Sequence, residues 1–297
     1  MRIRVIGVPM DLGADRRGVD IGASAIRYAG LNDRLRDLGH IVHDIGNVIV
    51  PQPESQPLGN PKLKYLKPIV HVAEELGNIV TTALQDKEFP LVLGGDHSIA
   101  LGSISGVARV YKNVGILWID AHGDFNTDLT TPSGNIHGMI LAALAGIGDH
   151  HLTHIDDWAP KISTQNIVIV GARDLDQSEQ ELLRTQSIHV FTMSDIDRRG
   201  ISEVMRQALS VAGQQNNCIH LSLDMDALDP KEAPGVGTPV RGGLTYREAH
   251  LAMEMIADAG SLVSMDVVEV NPILDRENAT ALLAVELVLS ALGKKIL

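Results

Sequence analysis

Three polar side chains alternate with small or apolar ones in the stretch DAHGDFN (120–126), directly after the apolar run VGILWI. They are Asp120, His122 and Asp124. Two other stretches carry the same residue types: GGDHS (94–98) holds His97, and DMDALDP (224–230) holds Asp224 and Asp226. Together they offer four carboxylates and two imidazoles. Oxygen and nitrogen donors without thiolate suit Mn²⁺, and less exclusively Fe²⁺, Co²⁺ or Zn²⁺. Carboxylates gathered at one place repel each other unless cations lie among them. One ion would not occupy so many ligands and still leave room for a substrate; two ions with bridging carboxylates would. A metal pair can hold a bridging hydroxide as nucleophile and stabilise the charge of a tetrahedral intermediate. Any one of these motifs, alone, reads more simply as a cap, a turn or a hydrogen-bonded core group. Their combination points to a site.

The elements that must bring these residues together are legible as Val- and Ile-rich runs: IRVIGV, HIVHDIG, PLVLGG, VGILWID, NIVIVGA, IHVFTM, IHLSLD and SMDVVEV. They read as about eight strands, buried on both faces. Helix-like segments separate most of them, at Ala23–Leu38, Tyr65–Gln85, Ser178–Thr185, Ile201–Ala212 and Thr245–Ala259. Strand alternating with helix implies an α/β fold with a mostly parallel central sheet. The Pro/Gly-rich segment 46–61 is flanked by strand and helix signals and reads as a surface loop, so residues 1–297 form one domain. Five strands end in polar clusters: GGDHS, DAHGDFN, GARDLDQSE (171–179), DMDALDP and EVNP (269–272). In a parallel sheet these ends share one edge, outside which ligands bind. If the chain stays extended, Asp120, His122 and Asp124 face one side, as do Asp224 and Asp226.

The net charge of −12 makes nucleic acid and anionic membrane poor partners, and favours cationic small molecules and divalent metals. The single cysteine, Cys218, allows no intrachain disulfide and fits a reducing cytoplasm. The N-terminus has too short an apolar run for a signal peptide, and no stretch is long enough to span a bilayer. His150, His151 and His154 are close in sequence, but no strand precedes them, and they read as solvated. GVGTP (235–239) follows no strand, so it is not a dinucleotide fingerprint.

GGDHS, DAHxDxN, SGNxHG and SxDxDxxDP, in this order, resemble the arginase (ureohydrolase) family. The resemblance runs from GVPMDLGADRRGVDIGASAIR to EVNPILD, nearly the whole chain. It implies a single-domain α/β/α sandwich and two Mn²⁺ per subunit, and hydrolysis of L-arginine to L-ornithine and urea. One ion would take His97, Asp120, Asp124 and Asp224; the other would take His122, Asp120, Asp224 and Asp226, with Asp120 and Asp224 bridging. Asp124, His137 and Glu269 would be catalytic: Asp124 moves the nucleophile's remaining proton to the leaving amine, Glu269 faces the guanidinium, and His137 shuttles protons with a near-neutral pKa. Asn126, Thr131, Ser133 and Asn135 would lie near the α-carboxylate as neutral donors. Asp176, with Glu179 behind it, would read the α-ammonium, and Thr238 would also touch substrate. SGNIHG and GARDLDQSE look more like an arginase than an agmatinase, the alternative within the family. A catalytically silent metal-binding protein is the alternative outside it. The resemblance also implies a cytoplasmic homo-oligomer, a trimer or hexamer.

Overall fold

The computed structural model describes residues 1–295. Every run read as a strand is one: β1 (Arg2–Val8), β2 (Ile41–Asn47), β5 (Phe89–Gly94), β6 (Gly115–Ile119), β7 (Ile167–Ala172), β8 (His189–Thr192), β9 (Ile219–Asp224) and β10 (Leu262–Val268). They make one sheet in the order β2-β1-β5-β10-β9-β6-β7-β8. Each of its pairings is parallel. Two short strands in the Pro/Gly-rich region, β3 (Gly59–Asn60) and β4 (Leu63–Lys64), pair antiparallel apart from this sheet.

The strands are apolar on both faces because helices cover both. Along β6, Leu117 and Ile119 enter one core with Leu91, Leu93, Leu221 and Leu223. Ile116 and Trp118 enter the other with Val92, Ile167 and Ile169. Leu66–Gln85 and Ala100–Val110 bury residues in the second core, while Ile201–Ala212, Tyr246–Ala259 and Ala279–Ala291 bury theirs in the first. The edge strand β2 departs from the expected burial: much of it is exposed, because a partner strand covers only one side.

Some helices carried no periodic signal. Ala100–Val110 and Ala279–Ala291 are buried over almost their whole length, so no polar face marks them. The expected helix over 23–38 is two helices, Gly22–Tyr28 and Leu31–Asp37, with a turn at Ala29–Gly30 between them.

In sheet order the five strands with polar ends are neighbours: β5, β10, β9, β6 and β7. After β5 the chain skips two strand positions to β6, runs outward through β7 and β8, and returns to fill the gap with β9 and β10; this change of direction opens a crevice at the carboxyl edge. The loop after β1 closes one side of it. Gly95 allows this contact, since a Cβ there would meet the Met10 carbonyl oxygen at 1.9 Å.

Candidate active site

His97 sits just after β5 and is fully buried. Its ring stacks on Trp118, with centroids 3.9 Å apart. Its Nε2 meets the Ser222 hydroxyl at 2.8 Å, which leaves Nδ1 to face the crevice. Around Nδ1 lie Asp120 Oδ2 at 3.1 Å, Asp224 Oδ2 at 3.1 Å and Asp124 Oδ2 at 3.2 Å. Nδ1 is buried and makes no directed hydrogen bond with any of them. Donor atoms thus converge on a common point, as a ligand set does. A second group adjoins the first: His122 Nδ1 lies 3.3 Å from Asp120 Oδ1 and 3.1 Å from Asp226 Oδ2.

Asp120 therefore turns one oxygen to each imidazole. His97, Asp120 and Asp224 form one group able to hold an ion, and Asp120, His122 and Asp226 form the other. Asp224, expected to bridge as well, stands only in the first; its Oδ1 accepts the Asp226 N–H at 2.7 Å.

The backbone reaches this arrangement by a route the alternation did not predict. A strand rises about 3.3 Å per residue, so Asp120 and Asp124 would stand about 13 Å apart if the chain stayed extended. Both instead approach the same nitrogen of His97. The strand ends at Ile119, the chain bends at 121–122, and Asp120 Oδ1 accepts the His122 N–H at 2.7 Å. Asp124 then adopts a left-handed φ of 48°. Asp226 likewise sits in a turn, Met225–Ala227, and not in a continued strand.

Imidazoles and carboxylates this close shift one another's proton affinity. Burial opposes charge on His97, yet Asp120, Asp124 and Asp224 push its pKa well above the usual value. His122 is raised in the same way, against burial, by Asp226 and Asp120. Burial also opposes charge on Asp120, but the two imidazoles hold it below the ordinary carboxylate range. Burial and then the charge of Asp226 push Asp224 upward, and burial and then Asp120 do the same to Asp124. Cations among the carboxylates would relieve their repulsion, so the donor set fits two divalent ions.

Glu269 follows β10 with a left-handed φ of 63° and is 1% exposed. Its Oε1 accepts the His97 N–H at 2.9 Å and lies 3.2 Å from His137 Nδ1. Its Oε2 is buried without a partner. Gly237 of GVGTP lines the space beside that oxygen; a Cβ there would stand 3.3 Å from it. His137, in the turn Ile136–Met139, is anchored by its N–H to the Gly13 carbonyl at 3.2 Å. Burial alone would lower its pKa; Glu269 and Asp124 instead raise it to about 9, above the near-neutral value expected.

The remaining candidates line a loop-built rim. Asn126 donates to Asp176 Oδ2 at 2.7 Å. Asp176 also caps the helix Gln177–Thr185, accepting the Glu179 N–H at 3.0 Å. Glu179 is buried behind it and accepts the Phe125 N–H at 2.9 Å. Burial, then Asp124 and Asp176, push its pKa up to about 8 despite that bond. The Thr131 hydroxyl accepts the Gly134 N–H, and the exposed Ser133 hydroxyl accepts the Asn135 N–H. Thr238 donates to Asp226 Oδ2 at 2.8 Å, so its hydroxyl braces the metal-type centre.

Several contributors lay outside the motifs or unmarked within them. Trp118 donates its indole N–H to Asp120 Oδ2 at 2.9 Å. Its place two residues before Asp120 was the available signal. Arg173 donates to the carbonyls of Asp226, Ala227, Leu228 and Val240, clamping the segment that carries Asp226 and Thr238. Asp96, inside GGDHS, accepts the N–H groups of Gly13 and Ala14 and so ties the first loop to the site. His150 and His154 stack face to face, 4.0 Å apart, and join neither group of metal-type ligands.

The sequence matches the family described as "Arginase family" over residues 1–293. It is 54% identical over 293 residues to an arginase of Brevibacillus brevis, covering 99% of this chain and 98% of that one. It is 52% identical over 295 residues to an arginase of Bacillus subtilis, covering 99% of each. The fold superposes on the crystal structure of arginase from Bacillus cereus with a TM-score of 0.96 and 50% identity, over 100% of both chains.

Proposed function

Since the chain belongs to the arginase family, whose members are hydrolases of linear amidine C–N bonds with a binuclear metal centre, we propose that it converts L-arginine to L-ornithine and urea with two Mn²⁺ per subunit. The observation that carries this reading is Asp120, whose two oxygens serve two separate imidazole–carboxylate groups. When bound, the ion pair supplies a strong nucleophile from water at neutral pH and offsets the clustered negative charge. His97, Asp120, Asp124 and Asp224 would hold one ion; His122, Asp120, Asp226 and the far side of Asp224 would hold the other.

The protein's own groups do the rest. Glu269 Oε2 accepts an N–H of the planar guanidinium, whose charge matches a buried carboxylate. This turns the guanidinium carbon toward the carboxylate cluster. Asp124 takes a proton at its carboxylate and delivers it to the departing amine. His137, partly exposed and hydrogen-bonded to Glu269, exchanges protons between the pocket and solvent. Asp176 receives the α-ammonium, with Glu179 supporting it from behind, while Asn126, Thr131, Ser133 and Asn135 receive the α-carboxylate. Thr238 acts on substrate only through Asp226.

The protein acts as a cytoplasmic homo-oligomer, trimer or hexamer, on a small guanidino substrate, with neither nucleic acid nor membrane as partner. Among the described residues no helix is long and apolar enough to cross a membrane. Residues 1–297 work as one domain.

The test is urea release from L-arginine and, in parallel, from agmatine, after chelation and again after Mn²⁺ restoration. Activity should vanish on chelation, return with Mn²⁺ and favour arginine. Faster turnover of agmatine would replace the substrate assignment; an inert Mn²⁺-loaded protein would overturn the function.

A further inference from the structure

The rim where the α-carboxylate is expected carries no charge in the motifs, yet a cation stands beside it. Lys64, from β4, places its Nζ 2.9 Å from Asn135 Oδ1 and 2.8 Å from Asp15 Oδ2. Its side chain is 20% exposed. The β3–β4 segment is seated directly on the SGN loop. The Lys64 N–H donates to the Gly134 carbonyl at 3.1 Å, and Lys62 Nζ donates to the Thr131 carbonyl at 2.7 Å. Gly134 has a φ of 77°, and a Cβ there would strike the Pro61 carbonyl oxygen at 1.8 Å. The contact between the two loops is therefore close and specific.

We propose that Lys64 is a specificity-determining residue for the substrate's α-carboxylate, acting by charge and by orienting Asn135. The proposal rests on the arginine-hydrolase reading above.

Three observations lead to it. First, an ammonium only donates, so Asn135 must turn Oδ1 toward Lys64. Its NH₂ is thereby turned away, with one N–H on the Ala14 carbonyl at 2.9 Å and one left for a ligand. Second, Asn126 gives its Oδ1 to the Thr130 hydroxyl and one N–H to Asp176, so it offers a carboxylate a single N–H. The neutral donors left to a carboxylate are few. Third, beyond the four carboxylates that an ion pair would offset, the site still carries Asp176 and the buried Glu269. An incoming α-carboxylate meets that field, and a nearby cation offsets it. Lys64 has three N–H groups, and the two contacts named leave one for the ligand. Asp15 holds the ammonium in place while, being itself partly exposed, neutralising it only in part.

Arginine and agmatine differ only in the α-carboxylate, so they separate this role from simple scaffolding. In Mn²⁺-loaded enzyme, Lys64→Met should raise the KM for L-arginine about tenfold, with kcat changed by less than about twofold. The competitive inhibition constant of agmatine should move by less than about twofold. Lys64→Arg, which keeps the charge, should recover most of the arginine affinity. Equal weakening of arginine and agmatine would show a structural role and overturn the proposal, as would an unchanged arginine KM in Lys64→Met. Wild-type enzyme that releases no urea from arginine would instead defeat the function itself, and this proposal with it.

Discussion

The metal-type centre and the substrate rim are built from different parts of the same edge. The centre's groups lie at or within a few residues of strand ends, and most are buried: His97 and Asp120 are at 0% exposure and Asp226 at 1%. Its supports are the buried Trp118 ring, the buried Ser222 hydroxyl on β9 and the half-buried Arg173 guanidinium. The rim is made of loops. Asn126, Thr131, Ser133 and Asn135 lie on the connection after β6, and Lys64 reaches them from a separate small hairpin. Its members hydrogen-bond to one another more than to the core. The difference teaches that the ligand cluster is positioned by the sheet, whose geometry is fixed by packing. The rim proposed to receive the rest of the substrate is positioned by loop-to-loop contacts, which can vary without disturbing the sheet.

The comparison can be broken or sharpened by substitution. The largest effect should come from Asp124→Asn, which keeps the shape of the centre but removes a charge and a proton carrier. Saturating Mn²⁺ should leave kcat reduced by about 10²–10⁴-fold in steady-state urea release. Near-normal turnover would remove Asp124 from the chemistry.

A middle-sized effect is expected from Trp118→Phe, which retains an aromatic ring under His97 but loses the N–H to Asp120. Manganese affinity, measured by titrating the metal-free protein, should fall by about 10-fold or more. If affinity were unchanged, the sheet-borne support of Asp120 would be dispensable, and the contrast between rigid centre and adaptable rim would weaken.

The smallest effect concerns Glu179 in the rim. Its carboxyl has an ordinary value of 4.5 and is raised to about 8 in the fold, chiefly by burial. Between those values the native state binds a proton that the unfolded chain has lost. Stability of the metal-free protein should therefore decline as pH rises from about 5 to 8. Glu179→Gln removes this contribution, so thermal melts across that range should show a shallower decline than wild type. Parallel curves for the two proteins would show that Glu179 ionises normally.

Much of this molecule was legible from residue order. The eight Val- and Ile-rich runs became the eight sheet strands because β-branched residues fit a pleated surface covered on both sides. His97, Asp120, His122, Asp124, Asp224 and Asp226 converge because each stands at or just beyond the end of one of three strands whose carboxyl ends share one edge. The extended geometry assumed for DAHGDFN did not hold, since only a curled chain lets Asp120 and Asp124 share His97. Nor were Ala100–Val110 and Ala279–Ala291 seen, because apolar and small residues run round most of each helix and leave too few polar positions to mark a face. For Trp118 the one available signal was its place two residues before Asp120, since its packing role in an apolar strand hides its N–H.

By itself the sequence determined which donors exist and that they stand at strand ends; that much follows from residue type and from the periods of strand and helix. Tertiary structure alone decided which donors meet. The order β5-β10-β9-β6-β7 sets His97 beside Asp120 and Asp224, although more than 20 residues separate His97 from Asp120 and more than 100 separate it from Asp224. It also decided that Asp120 divides its oxygens between the two imidazoles, and that Lys64 faces Asn135. Such contacts depend on how crossovers order the strands and on how loops pack, and no local stretch of residues carries that information.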